Sequence, residues 1–104
     1  MNKKINKLSK LTEYYDLYKL LLTNLQQEIF ELYYFEDFSL SEIANNRKVA
    51  RSTIHDILKS VEKNLIQFED KLKLNYQNKK LLKLILKIKD QDLQDDFFNL
   101  LKKY

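Results

Sequence analysis

Residues 38–58 read FSLSEIANNRKVARSTIHDIL, two short helical patterns that meet across a polar break of four to six residues, the spacing of a helix-turn-helix. Ser39 followed three residues later by Glu42 is a capping box: the hydroxyl accepts a first-turn N–H while the carboxylate accepts the N–H of Ser39 itself. A helix is therefore expected to start at Leu40 and to turn Leu40, Ile43 and Ala44 inward. Asn45-Asn46-Arg47-Lys48 interrupts the pattern, and Val49 resumes it at a position suited to plug the angle between two helices. The second helix is expected to begin near Arg51. Its inward positions Ile54, Ile57 and Leu58 leave Arg51, Ser52, Thr53, His55, Asp56 and Lys59 outward, and in a helix-turn-helix the outward residues at the N-terminal end of that helix reach base edges. The same pattern also suits an ordinary pair of packed helices with a polar connection.

Composition narrows the class. The 104-residue chain contains no Gly, no Pro and no Cys. Tight hairpins want residues at ease at positive φ, and only Asn and Asp are on hand, so the expected fold class is all-α. The length fits one domain over 1–104, with a helix-turn-helix core at 23–63 and a helical C-terminal extension at 64–104. Absence of Cys excludes disulfides, thiol chemistry and Cys-ligated zinc, and one His leaves too few soft ligands for a transition-metal site. No cofactor is expected. Asp92, Asp95 and Asp96 sit where the first turn of a helix favours acids without a catalytic role. His55 and Asp56 are sequence neighbours, a spacing at which helical side chains do not face each other. With no glycine-rich phosphate loop either, the reading is non-enzymatic. Lys3, Lys4, Lys7 and Lys10 precede no apolar run of useful length. The longest aliphatic runs, Leu20–Leu22 and Leu84–Leu86, are three residues each, far below the ~18 that span a bilayer. The expectation is a cytoplasmic protein without stable membrane insertion.

About six helices account for nearly the whole chain. A first helix from about Lys7 to Leu22 repeats Leu8, Leu11, Tyr15, Tyr18 and Leu22 at three- and four-residue spacing. Thr23 and Gln26 form a second capping box, opening a helix over 24–35 that buries Leu25, Ile29, Leu32 and Phe35. Asp37 is the turn former after it. From Arg51 no strong stop appears for more than twenty residues, while Ile54, Leu58, Val61, Leu65, Phe68 and Leu72 follow a heptad seam. Such a narrow stripe suits pairing with another helix, so Leu58, Val61, Leu65, Phe68 and Leu72 are candidate homodimer contacts; packing against the chain's own helices is the alternative. The seam is expected to end at residues 75–78. A helix over 79–89 then places Leu81, Leu82, Ile85 and Ile88 inward, and Asp90 or Asp92 caps a last helix through Leu93, Phe97, Leu100, Leu101 and Tyr104.

The net charge of +4 conceals a segregation. Residues 12–42 carry seven acids against one Lys, residues 71–89 seven Lys and no acid, and the core at 23–63 five bases against seven acids. Non-specific affinity for a duplex comes mostly from cations that displace counterions from phosphates, so a net-negative reading head binds weakly unless its cations cluster. Arg47, Lys48, Arg51 and Lys59 are placed to cluster, with Glu28, Glu31 and Glu36 facing elsewhere. Lys80, Lys83 and Lys87 fall on one side of the expected 79–89 helix, a rail for a phosphate backbone or an anionic membrane surface, or simply a solvated face.

The run TNLQQEIFELYYFEDFSLSEIANNRKVARSTIHDILKSVEKNLIQFEDKL, residues 23–72, resembles the YlxM family of small bacterial helix-turn-helix proteins, most specifically in LYYFEDFSLSEIA and in the long helix containing FEDKL. The resemblance covers about half the chain closely. It implies a fold like the fourth conserved region of bacterial sigma factors with a helical C-terminal extension. It also implies a role with the signal recognition particle, through its RNA or its protein, or else in transcription. Two positions depart from the pattern: Ala50 stands where a Ser usually caps the second helix, at a cost of typically ~1 kcal/mol, and Lys48 stands where many such turns carry Gly. Three readings follow. In the first, an accessory protein touches the particle through residues 79–89 and the acidic N-terminal surface. In the second, a transcriptional regulator reads the major groove with Arg51, Ser52, Thr53, His55 and Lys59, Arg47 and Lys48 holding phosphates. The third is a helical adaptor for protein partners.

Overall fold

Burial of one long helix by the three that precede it organises the chain. The structure, a computed structural model, describes the backbone of residues 2–102 and the side-chain surroundings of residues 8–102. Six α-helices are described, with no strand among these residues: α1 (Asn2–Tyr18), α2 (Asn24–Tyr34), α3 (Leu40–Arg47), α4 (Arg51–Leu72), α5 (Leu74–Ile85) and α6 (Gln91–Lys102). α1 continues into a 3-10 turn over Lys19–Leu21, so the helix expected to reach Leu22 tightens first. Tyr104, expected at the end of the last helix, lies outside the described residues. None of the described helices is long and apolar enough to cross a membrane.

Both capping boxes form: Thr23 and Ser39 each accept the N–H of the residue three positions on, and Gln26 and Glu42 each return a side-chain oxygen to the cap's N–H. α4, 22 residues and about 33 Å long at 1.5 Å per residue, is the spine, and α1, α2 and α3 pack on it. Its stripe closes two apolar clusters. Val61 and Leu65 meet Leu11, Tyr15 and Tyr18 of α1, Leu22 just after its 3-10 turn, and Phe30 of α2. Ile54 and Leu58 meet Ile29, Ile43 and Ala44. Tyr34 and Ile57 border both.

The seam is thus consumed inside the chain, which corrects the expected dimer contact. Leu58, Val61 and Leu65 are buried, Leu65 to 0% exposure; Phe68 packs beside Tyr18 with ring centroids 5.9 Å apart; only Leu72 is largely open, at 47%. Pairing through these positions would require opening the bundle. α2 carries a second correction. Leu25 and Phe35, expected inside, lie exposed at its two ends, while Phe30 is fully buried. Because α2 is sandwiched, neighbouring residues Ile29 and Phe30 serve opposite clusters, and a one-sided amphipathic pattern cannot show that.

Three tyrosines aim their hydroxyls at carboxylates from other helices. Tyr15 donates to Glu31, Tyr34 donates to Glu62 Oε2 (2.6 Å), and Tyr18 donates to Glu69 Oε1 (2.7 Å). The last pair decides where α4 stops. Tyr18 Oη also accepts the N–H of Leu74 (3.0 Å), and the Glu69 carboxylate accepts the N–H groups of Asn75 (3.1 Å) and Tyr76 (3.2 Å). Three otherwise orphaned N–H groups at the start of α5 are satisfied by side chains from α1 and α4. Lys73, at φ 55°, makes the joint. Glu13 completes it by accepting from Asn75 Nδ2 (3.0 Å) and Lys79 Nζ (3.2 Å). The break therefore falls at Lys73 and not at residues 75–78, and α5 ends at Ile85, short of residue 89.

Burial first, and the carboxylate partner second, raise the phenols of Tyr15 and Tyr34 above their ordinary value and push Tyr18 up to about 12 from 10. A raised folded-state value contributes stability that is complete below pH 10 and lost as pH climbs through about 12. Tyrosinate absorbance should accordingly show three phenols that resist ionisation until the helical circular-dichroism signal collapses in that window; ionisation of all seven near pH 10 with the helices intact would contradict these pairings. Truncation of Leu65 to Ala should cost ~2–5 kcal/mol in urea unfolding, as for a core residue; a change under ~1 kcal/mol would mean that the site is not packed.

Candidate nucleic-acid interface

The turn between α3 and α4 is built by backbone bonds. Lys48, in the left-handed region at φ 58°, donates its N–H to Ala44 O and Asn45 O, and the Val49 N–H donates to Ala44 O (3.0 Å), the pattern of a Schellman motif. Such a site normally takes Gly, and here a lysine occupies it at a cost of order 1 kcal/mol. Val49 is 42% exposed and does not plug the interhelical angle as expected; Ile43, Ala44 and Ile54 fill it. At the next helix Ala50 provides no side-chain cap. The positive end of α4 consequently opens to solvent.

Anchored from beneath by Ile54 and Leu58, the first turns of α4 hold Arg51, Ser52, Thr53, His55, Asp56 and Lys59 exposed, the arrangement expected of a reading helix. Their electrostatics are weaker than a count of cations suggests. Arg47, the last residue of α3, is ion-paired with Glu28 of α2, so Glu28 does not face elsewhere as expected. Lys59 Nζ lies 3.7 Å from Glu62 Oε1, and Glu62 is only 8% exposed. His55 Nδ1 approaches Asp56 Oδ1 to 3.5 Å, contrary to the expectation that these neighbours do not meet, although both side chains are open to solvent. Lys48 and Arg51 remain as the tip's cations without an acidic partner among the described residues. A cleft of about 240 Å³ lies alongside, lined by His55, Lys59 and Glu62 of α4 together with Tyr33, Tyr34 and Leu40.

The lysine rail is only partly assembled. Lys80 and Lys83 are exposed on α5, but the helix ends at Ile85 and Lys87, also exposed, falls in the following turn. Lys80 lies over the Tyr76 ring, 4.6 Å from its centroid; the same neighbour lowers the Tyr76 phenol below its ordinary value, chiefly through a hydrogen bond. Reasoning from sequence missed Glu28 and Glu62, the two acids that temper the tip. Glu28 gave no local signal, because its partner lies on another helix. Glu62 did give one: it flanks the seam beside Val61, where an acid must find partners.

Comparison with known proteins agrees with this geometry. A family profile described as "Putative helix-turn-helix protein, YlxM / p13 like" (UPF0122) matches residues 5–103. A UPF0122 protein of Caldanaerobacter subterraneus subsp. tengcongensis is 42% identical over 80 residues, covering 77% of this chain and 68% of the relative. One from Malacoplasma penetrans is 43% identical over 88 residues (85% and 82%), and one from Mycoplasma capricolum 36% identical over 97 residues (93% and 86%).

Relief of the left-handed strain should be measurable. Replacing Lys48 by Asn, which tolerates positive φ, should raise stability by a few tenths to ~1 kcal/mol in thermal unfolding; a loss of that size would mean that Lys48 makes a stabilising contact beyond its backbone role.

Proposed function

Since the chain belongs to the UPF0122 family of YlxM/p13-like helix-turn-helix proteins, we propose that it is a non-enzymatic accessory or regulatory protein that docks the N-terminal turns of α4 into the major groove of a nucleic-acid duplex. One observation carries this reading: Arg51, Ser52, Thr53 and His55 are exposed together on a tip whose underside is locked by Ile54 and Leu58. In the proposed complex Arg51, Ser52, Thr53, His55 and Lys59 face base edges, and Arg47 and Lys48 hold phosphates. A backbone phosphate would also serve the uncapped N–H groups at the start of α4, which gives Ala50 a role that a capping Ser would obstruct. With Arg47 and Lys59 shared with Glu28 and Glu62, the affinity is modest.

The segregated lysines favour a second reading. Residues 71–89 carry seven Lys and no acid, which supports contact with a structured RNA through Lys80, Lys83 and Lys87, as in an accessory role with the signal recognition particle, its protein component included. This surface offers one ring, Tyr76, for base stacking, so shape and charge would dominate.

Titration of fluorescent duplex DNA and of structured RNA at several salt concentrations separates the two. For the groove reading, log affinity should fall against log salt with a slope of about −2 to −4, matching two to four phosphates. Arg51→Ala should weaken binding several-fold, and Glu28→Gln, which releases Arg47, should strengthen it. Should Lys80→Gln/Lys83→Gln abolish RNA binding while Arg51→Ala leaves all binding untouched, the groove reading fails and the RNA reading stands.

A further inference from the structure

The α5–α6 hairpin leaves its best apolar surface uncovered. None of the described side chains of α6 is buried, and α5 buries Ile85 alone. Between the two helices runs an open groove of about 510 Å³ walled by Leu81, Leu84, Ile88, Phe97, Leu100 and Leu101, with Leu84 60% and Leu100 55% exposed. Helices of 12 residues are marginal alone, and apolar patches of this kind mark interaction surfaces.

Charge identifies the occupant. The α5 wall is cationic, with Lys79, Lys80 and Lys83 on the helix and Lys87 and Lys89 beyond it, whereas the α6 wall carries Asp92, Asp95 and Asp96 after the capping Asp90. A partner helix of either sign would suit one wall and be repelled by the other. A second copy suits both if α5 of each chain lies over α6 of the other, which a two-fold axis parallel to the helices accomplishes; an axis across the helices would set lysines over lysines. The register also fits. Gln94 Nε2 donates to Ile85 O (3.1 Å), fixing the two helices in height. Lys80 lies five residues before Ile85 and Asp96 two after Gln94, so across the two-fold they differ by three residues, ~4.5 Å, within reach of a lysine side chain. Helical spacing sets Lys80 beside Leu84 and Asp96 beside Leu100, at the rims of the groove.

We propose that the open face of the α5–α6 hairpin is a homodimer interface, closed by the same face of a second copy in an antiparallel four-helix arrangement with α5 over α6. This surface replaces the α4 seam as the route to self-association and is independent of what the tip of α4 binds. α5 starts at the far end of α4, about 33 Å from Arg51, so the dimer leaves both tips uncovered.

Sedimentation equilibrium of the full chain without nucleic acid, over a micromolar concentration series, tests the proposal. The expected mass is twice 12.7 kDa. Leu84→Gln and Leu100→Gln, both at exposed positions, should each raise the dimer dissociation constant at least about tenfold with unchanged helical circular dichroism. Lys80→Asp should weaken the dimer, and Lys80→Asp/Asp96→Lys should recover it. A monomer at every concentration overturns the proposal, as does a dimer indifferent to both leucine substitutions. A charge reversal that the second substitution fails to recover overturns the α5-over-α6 arrangement.

Discussion

Sequestration of the α4 stripe is the constraint from which the remaining architecture follows. Ile54, Leu58, Val61 and Leu65 are buried along one helix, and two clusters form around them because α1 and α2 approach one part of α4 while α2 and α3 approach the other. Each such side chain removed from water contributes roughly 1.5–3 kcal/mol. Their common origin on one rigid rod forces the helices into register with each other. The exposed N-terminal tip of α4 and the base of the C-terminal hairpin are then opposite ends of the same helix. Aromatic packing reinforces the arrangement where α1 meets α2: the rings of Tyr15 and Phe30 stack at 4.3 Å and those of Phe30 and Tyr34 approach to 4.5 Å.

Tyrosine hydroxyls aimed at glutamates supply the directional part. Apolar burial alone would let α1 and α2 slide on α4; Tyr18 on Glu69 and Tyr34 on Glu62 are longitudinal stops with defined donors and acceptors. At Glu69 the stop becomes a cap, since the same carboxylate and the Tyr18 hydroxyl take the first N–H groups of α5. The direction of the hairpin is thereby tied to the core through hydrogen bonds to charged groups, which are stronger than neutral ones.

Without glycine the chain makes its sharp reversals with Asp37, Lys48 and Lys73, all at positive φ. Two of these are lysines, which gain nothing locally from the left-handed region. They are held there by the helices on either side, and both sit at joints flanking α4. The turn before α4 is consequently rigid because of backbone bonding, whereas the cationic character of the tip is reduced by Glu28 and Glu62. Stable geometry combined with muted charge is what the proposed groove contact would rest on.

Local chemistry was legible in the sequence wherever a few adjacent residues hold the whole interaction: the capping boxes at Thr23 and Ser39, the start of α4 at Arg51, the outward set Arg51 to Lys59, a cap at Asp90 or Asp92 that the structure resolves to Asp90, and an all-helical class following from missing glycine and proline. What depends on a partner far along the chain was not legible. The heptad stripe looks the same whether it meets a second copy or the chain's own α1, and only packing decided for the latter. The end of α4 is set by a tyrosine hydroxyl and a carboxylate from separate helices, so the break fell at Lys73 and not at residues 75–78. Glu28 reached Arg47 across the fold in the same way. Short-range hydrogen bonding and periodicity are written within one turn of helix, whereas burial, ion pairing and helix termination by distant side chains exist only after the helices have assembled.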